Sequence, residues 1–307
     1  MTLLIDNPLS LDHVTPYGHP ERPERYSAIK AAIAGLGLTS ELAQPGTEGQ
    51  IRLCHPQSHI DAIKAAIPTE GAEALDADTF LSPGSWDAAV NGVGGMVRAI
   101  DAVLGAEAGN AFVLTRPPGH HAEATRPMGF CLFGNIAIGA RHALEHHGLS
   151  RVAVVDFDVH HGNGTQDLLW DEPRALFISS HQMPLYPGSG APGERGGSDN
   201  VVNIPLGPDT SGTEMRQRYE SVVFPKLRAW QPELILISAG FDAHAADPLA
   251  GLNWQVEDFA WLTRSLCDLA DELCGGRLVS TLEGGYDLDA LAASVAAHLT
   301  ELKERGR

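Results

Sequence analysis

Six short apolar runs rich in β-branched residues, at 111–114, 152–155, 175–179, 201–204, 234–237 and 278–282, punctuate the chain. Between them, the stretches 85–104, 135–147, 212–230, 256–273 and 288–302 carry apolar residues at helical spacing. Alternation of this kind predicts an α/β protein in which a parallel sheet has helices on both faces. In open sheets of that class ligands bind beyond the carboxyl ends of the strands, so the residues that follow each run are where chemistry is expected.

At 307 residues the chain is long enough for two domains, but no Pro/Gly/Ser linker separates compositionally distinct halves and no internal repeat is present. One domain is expected. Lys and Arg number 21 against 39 Asp and Glu, a formal net charge of −18, which disfavours nucleic acid as a partner and tilts towards a cationic one, although ordinary solubility explains it as simply. Cys54, Cys131, Cys267 and Cys274 show neither Cys-x-x-Cys spacing nor the density of a disulfide scaffold. The start, Met1-Thr2-Leu3-Leu4-Ile5-Asp6, lacks a basic segment and a long apolar core, and no apolar run is long enough to span a bilayer. These features predict a cytoplasmic protein without a membrane partner.

The run 152–155 leads directly into Asp156-Phe157-Asp158-Val159-His160-His161-Gly162-Asn163-Gly164. In an extended backbone, side chains two apart share a side, so Asp156, Asp158 and His160 would point together from the end of a buried strand and suggest a metal site. Two ligands do not hold a catalytic metal, and Asp-x-His is common. Three other runs, however, also end in polar clusters: Arg116-Pro117-Pro118-Gly119-His120-His121, Ser238-Ala239-Gly240-Phe241-Asp242 and Glu283-Gly284-Gly285-Tyr286. Four such clusters at one sheet edge make coincidence a poor explanation. The Gly- and Pro-rich stretch 184–200 is expected to form a surface loop at the same edge, where Tyr186 either anchors the loop or contacts substrate.

Together with Asp247-Pro248-Leu249 and His19-Pro20-Glu21-Arg22-Pro23, these motifs resemble the zinc-dependent histone deacetylase superfamily, in the family's order and over most of the chain. The resemblance implies an arginase/deacetylase fold: a single doubly wound domain over 1–307 around a central, mostly parallel sheet of about eight strands. It also implies hydrolysis of an acylated lysine, or of a related acylated small amine, to a free amine and a carboxylate. It makes Asp158, His160 and Asp242 the zinc ligands. His121 becomes the general base oriented by Asn163, His120 its neighbour oriented by Asp156, and Tyr286 the donor to the oxyanion. Asn163 stands where class I relatives carry aspartate, which places the chain nearer class II. Phe130 after Gly129, and Tyr186 before Pro187, take the tunnel-wall positions. Leu249 takes a rim position where the polyamine-selective branch has glutamate, and Asp78 is a loosely placed rim residue that a solvated loop explains equally well. A potassium ion near Asp156, Asp158 and His160, completed by Ser179 and Ser180, is implied too.

The chemistry of this set is coherent. Three protein ligands leave a metal an open position for water and the scissile carbonyl, while imidazole has a reference pKa near working pH. Iron(II) or cobalt suits the oxygen-rich set as well as zinc does. Three rival readings remain: an acetylpolyamine amidohydrolase, a noncatalytic binder of acylated ligands, and a bimetallic ureohydrolase, which needs more carboxylates than these motifs offer. His142 and His146, one helical turn apart, are read as a cationic helix end before Gly148, and His55 and His59 as surface or packing residues. Cys267, Cys274, Trp254, Phe259 and Trp261 are read as packing, and Cys131 is given no role.

Overall fold

The computed structural model describes residues 1–306 and is built on one eight-stranded, wholly parallel sheet. Its strands are β1 (Thr2–Asp6), β2 (Thr39–Leu42), β3 (Asn110–Leu114), β4 (Val152–Asp156), β5 (Ala175–Gln182), β6 (Val201–Leu206), β7 (Leu234–Ala239) and β8 (Leu278–Leu282), in the spatial order β2-β1-β3-β8-β7-β4-β5-β6. The helices used below are α1 (Glu24–Ile33), α2 (Ser85–Leu104), α3 (Asn135–Glu145), α4 (Asn163–Leu169), α5 (Val256–Cys274) and α6 (Leu288–Arg305).

Each strand divides its side chains between two cores at a period of two, as the pleat requires. Phe112, Val155, Ile178 and Ile237 join one cluster with Ile29 of α1, Leu262 of α5 and Leu299 of α6. Their strand neighbours Val113, Val154, Phe177 and Leu236 join the other with Met96 and Ile100 of α2 and Ile136 of α3. Burial on both faces is why the strands read as unbroken apolar runs. Each fully buried Ile, Leu or Phe contributes roughly 1.5–3 kcal/mol, and together they hold the strand ends in a fixed plane.

Several sequence expectations need adjustment. Helix 135–147 ends at Glu145, before the His146-His147 pair, whereas 212–230 is one helical run with a π turn at Tyr219–Val223. Two strands, β1 and β2, were not predicted. β1 is buried at every position but lies at the very start of the chain, and β2 is a largely exposed edge strand with no apolar signature. The cysteines and aromatics read as packing are so placed: Cys267, Cys274, Trp254 and Phe259 are buried and Trp261 is partly buried. Among the described residues no helix is long and apolar enough to cross a membrane.

Candidate active site

Four adjacent strands, β3, β8, β7 and β4, deliver their carboxyl ends side by side, and the polar clusters follow each of them. The expectation that Asp156, Asp158 and His160 line one side of a continuing strand is corrected, because β4 ends at Asp156. Beyond it the backbone turns, with His160 N–H donating to Asp158 Oδ1 at 2.9 Å. That turn brings Asp158 and His160 together and leaves Asp156 to accept from His120 Nδ1 at 3.0 Å.

Asp158 and His160 meet Asp242, from the end of β7. His160 Nδ1 lies 3.1 Å from Asp158 Oδ1 and 3.1 Å from Asp242 Oδ2. Backbone donors fix both carboxylates: Gly284 N–H reaches Asp158 Oδ2 at 2.8 Å, and Val159 N–H reaches Asp242 Oδ1 at 2.9 Å. Two glycines make room. A Cβ at Gly240 would stand 2.0 Å from Asp158 Oδ2, and one at Gly284 would stand 2.1 Å from Asp242 Oδ2.

The donor set fits a divalent metal. Asp158 and Asp242 are fully buried and His160 nearly so, yet two carboxylates face one ring that offers a single Nδ1–H. Burial opposes a charged His160, but the hydrogen bonds and charges of Asp158 and Asp242 push it up to about 10. Such a field favours a cation, and an imidazole plus two carboxylates is a zinc-competent ligand set with open positions.

Of the paired histidines, His120 Nδ1 contacts Asp156 and its rings lie 4.0 Å from those of His121, centroid to centroid. Burial pulls His120 down, but Asp158 and Asp156 hold it well above the usual histidine range. His121 has no carboxylate of its own. Its Nδ1 lies 2.7 Å from Asn163 Oδ1, and burial with the neighbouring His120 and His160 keeps it well below that range.

Tyr286 closes the set. Gly285 turns the chain before it at φ +117, Asp247 Oδ2 accepts its N–H at 2.7 Å, and the Arg25 guanidinium lies 4.9 Å from its ring centroid. Burial raises the phenol well above its usual pKa, so it stays a donor at neutral pH.

His121, His160 and Tyr286 line a cavity of about 320 Å³ whose walls also include His19, Asp78, Gly129, Phe130, Tyr186 and Leu249. Tyr186 is thus on the cavity wall, 5.2 Å from the His121 ring. Ser179 and Ser180 do not join: their hydroxyls bond His181 Nδ1 at 2.9 Å and Tyr219 at 2.7 Å, so neither supports the expected potassium site.

Other residues come to the site without having been singled out. Glu283 accepts from Gly119 N–H at 2.7 Å and His120 N–H at 3.1 Å, and its place directly after an apolar run was a usable signal. Arg25 pairs with Glu21, and Glu21 with Arg116, in a buried network that also reaches the Gly285 carbonyl at 2.6 Å. Glu123 accepts from Asn163 Nδ2 at 2.8 Å. Nothing local in the sequence marks Arg25 or Glu123.

Two of the discounted histidine pairs behave differently from each other. His55 and His59 are buried and stacked, bonded to Gly134 N–H at 2.9 Å and the Leu132 carbonyl at 2.9 Å, so packing is correct. His142 is not a cationic helix end: burial lowers its pKa, and it pairs with Asp101 at 2.7 Å.

The family described as the histone deacetylase domain matches residues 19–302. The chain is 42% identical to an uncharacterised protein of Synechocystis, over 98% of this chain and 99% of that one. It is 40% identical to histone deacetylase 10, chloroplastic, of Oryza sativa, over 91% of this chain and 68% of that one. A histone deacetylase-like amidohydrolase of Pseudomonas aeruginosa is 39% identical over 88% and 73%. Among solved structures, the HD domain of HDA15 superposes with a TM-score of 0.92 at 32% identity, covering 99% of this chain and 91% of that one.

Proposed function

The chain belongs to the histone deacetylase family, and on that premise we propose that it is a zinc-dependent deacylase that hydrolyses the amide of an N-acyl-lysine. The observation that carries this reading is the convergence of Asp158 and Asp242 on His160, which lines the same cavity as His121 and Tyr286. Asp158, His160 and Asp242 hold the metal, which when bound polarises the acyl carbonyl and acidifies a water beside it.

The protein's own groups then carry the protons. His121, kept neutral chiefly by its burial, takes a proton from the attacking water on the ring nitrogen that faces the cavity. A carbon–oxygen bond forms, the Tyr286 hydroxyl donates to the developing oxyanion, and the carbon–nitrogen bond breaks as His121 returns the proton to the leaving amine. His120, held protonated by Asp156 and Asp158, supplies positive charge beside the reacting centre. The walls of Phe130, Tyr186 and Leu249 suit an aliphatic side-chain stem.

Acetyl-lysine peptides and N-acetylputrescine, compared at equal concentration on the metal-loaded enzyme, test the reading. Turnover of the peptides is expected. Turnover confined to N-acetylputrescine would make the chain an acetylpolyamine amidohydrolase, and turnover of neither would remove the proposal.

A further inference from the structure

We infer that Glu123 is a positioning residue that fixes the carboxamide of Asn163 and, through it, the ring proton of His121. The inference rests on the reading of His121 as the base, and it begins from one hydrogen bond. Asn163 Nδ2 lies 2.8 Å from Glu123 Oε1, on the side of the amide away from His121. Among the described residues its other short contacts are the weak thioether acceptor Met128 Sδ at 3.4 Å and the His121 carbonyl at 3.5 Å.

A glutamate carboxylate can only accept, so the face of the amide turned towards Glu123 must be its NH2 group. The carbonyl Oδ1 is then the atom left for His121 Nδ1, 2.7 Å away. An acceptor there requires a proton on Nδ1. In a neutral imidazole that puts the lone pair on Nε2, the nitrogen left to the cavity that His121 lines. The chain of constraint runs from Glu123 to the reacting nitrogen with no free choice along it.

Without the carboxylate the amide is free to flip. An NH2 group facing Nδ1 selects the opposite tautomer, with its proton on Nε2, which cannot take one from water. An aspartate at 163 would fix the tautomer by itself, but an asparagine has two faces and needs an outside group to choose between them. Glu123 is well placed for this because its own backbone is pinned: its N–H donates to the Arg126 carbonyl at 3.0 Å.

Four variants and a spectroscopic readout test the assignment. Glu123→Leu should lower kcat about tenfold or more, the scale of a compromised general base, with KM within about twofold because no substrate contact is lost. Glu123→Gln can donate as well as accept, so it no longer dictates which face Asn163 presents, and its kcat should fall between those of the parent and Glu123→Leu. Asn163→Asp sets two carboxylates against each other, whereas the double variant Asn163→Asp/Glu123→Gln restores a donor between them and should recover activity over the single change. In the metal-free protein, ¹⁵N shifts of the His121 ring should report Nδ1–H for the parent and a shift towards Nε2–H in Glu123→Leu. An unchanged tautomer in Glu123→Leu, or parental kcat in that variant, would overturn the inference. The nitrogen shifts need no turnover, so they separate its failure from failure of the proposed deacylase activity.

Discussion

Among the described residues two clusters bring aspartate and histidine side chains within reach of a single ion, and they differ in every respect that matters for binding one. Asp158, His160 and Asp242 have two carboxylates to one imidazole and are almost wholly buried. Asp101, His142 and His147 have one carboxylate to two imidazoles, with Asp101 38% and His147 25% exposed. In the second cluster both His142 Nε2 and His147 Nε2 lie 2.7 Å from Asp101 Oδ1, so ring protons fill the space between the heteroatoms and every group is satisfied. Bonds of about 2.0–2.1 Å at tetrahedral angles separate ligand atoms by about 3.3 Å, and the 3.1 Å spacings around His160 are nearer that value. A metal site is therefore marked by an excess of acceptors over protons and by carboxylates already held by backbone N–H groups. Proximity of the right residue types is not sufficient.

The sharpest test of that difference is metal stoichiometry. Asp242→Ala or His160→Ala should abolish bound metal and lower turnover by more than about 100-fold, given that outer-shell partners alone are worth roughly 10–100-fold. The double change Asp101→Asn/His147→Ala should leave one metal per chain and the parental rate. Elemental analysis of reconstituted protein decides both, and a metal lost from the second variant would erase the distinction.

Within the buried cluster, Tyr286→Phe separates holding the metal from doing chemistry. Metal content should be unchanged, since the hydroxyl is no ligand, and kcat should fall roughly 100- to 1000-fold, as for loss of one oxyanion donor. A parental kcat would remove Tyr286 from the mechanism.

The contrast also explains what could be read from the sequence. Asp158, His160, Asp242, His121 and Tyr286 all lie in polar clusters that follow apolar runs, so the strand-end rule pointed to the clusters and the family resemblance picked out the individual residues. The main helices and six of the eight strands were legible for a related reason, since burial writes itself as continuous apolar runs. Glu123 and Arg25 were not legible, because the partners that give them a role, Asn163 and Gly285, lie 40 and 260 residues away, although Glu123 itself stands only two residues after His121. The part of Asp101 in the second cluster was not legible either: His142 and His147 are five residues apart, but their aspartate is on another helix, α2.

A third histidine environment extends the comparison to stability. His298 of α6 is fully buried with no acidic partner, its Nδ1 2.7 Å from Thr263 Oγ1 and its Nε2 2.9 Å from Ser280 Oγ. Burial alone pulls it down to about 3. Its folded pKa lies below its unfolded value, so between about pH 6.5 and 3 the unfolded chain binds the extra proton and acid favours unfolding. This site should steepen the loss of stability by up to about 1.4 kcal/mol per pH unit in that window. Urea titrations of the parent and His298→Gln at pH 7.5, 6 and 5 measure it. An equal pH slope in the two proteins would show that His298 does not hold its neutral form in the folded state.

The smallest effect comes from placing a carboxylate where nothing converges on it. Leu249 is partly exposed on the cavity wall, so Leu249→Glu adds one acceptor with no partners and little burial. Such a group attracts a substrate cation through solvent and is worth about 0.2–1 kcal/mol, as for exposed ion pairs. The ratio of kcat/KM for N-acetylputrescine over an acetyl-lysine peptide should therefore rise only about two- to fivefold, and the rise should fade in high salt. A change of several hundredfold would mean that a lone rim carboxylate can act as strongly as a converged and backbone-held pair. In that case the number of unsatisfied acceptors, rather than their convergence, would be what separates the buried cluster from the surface one.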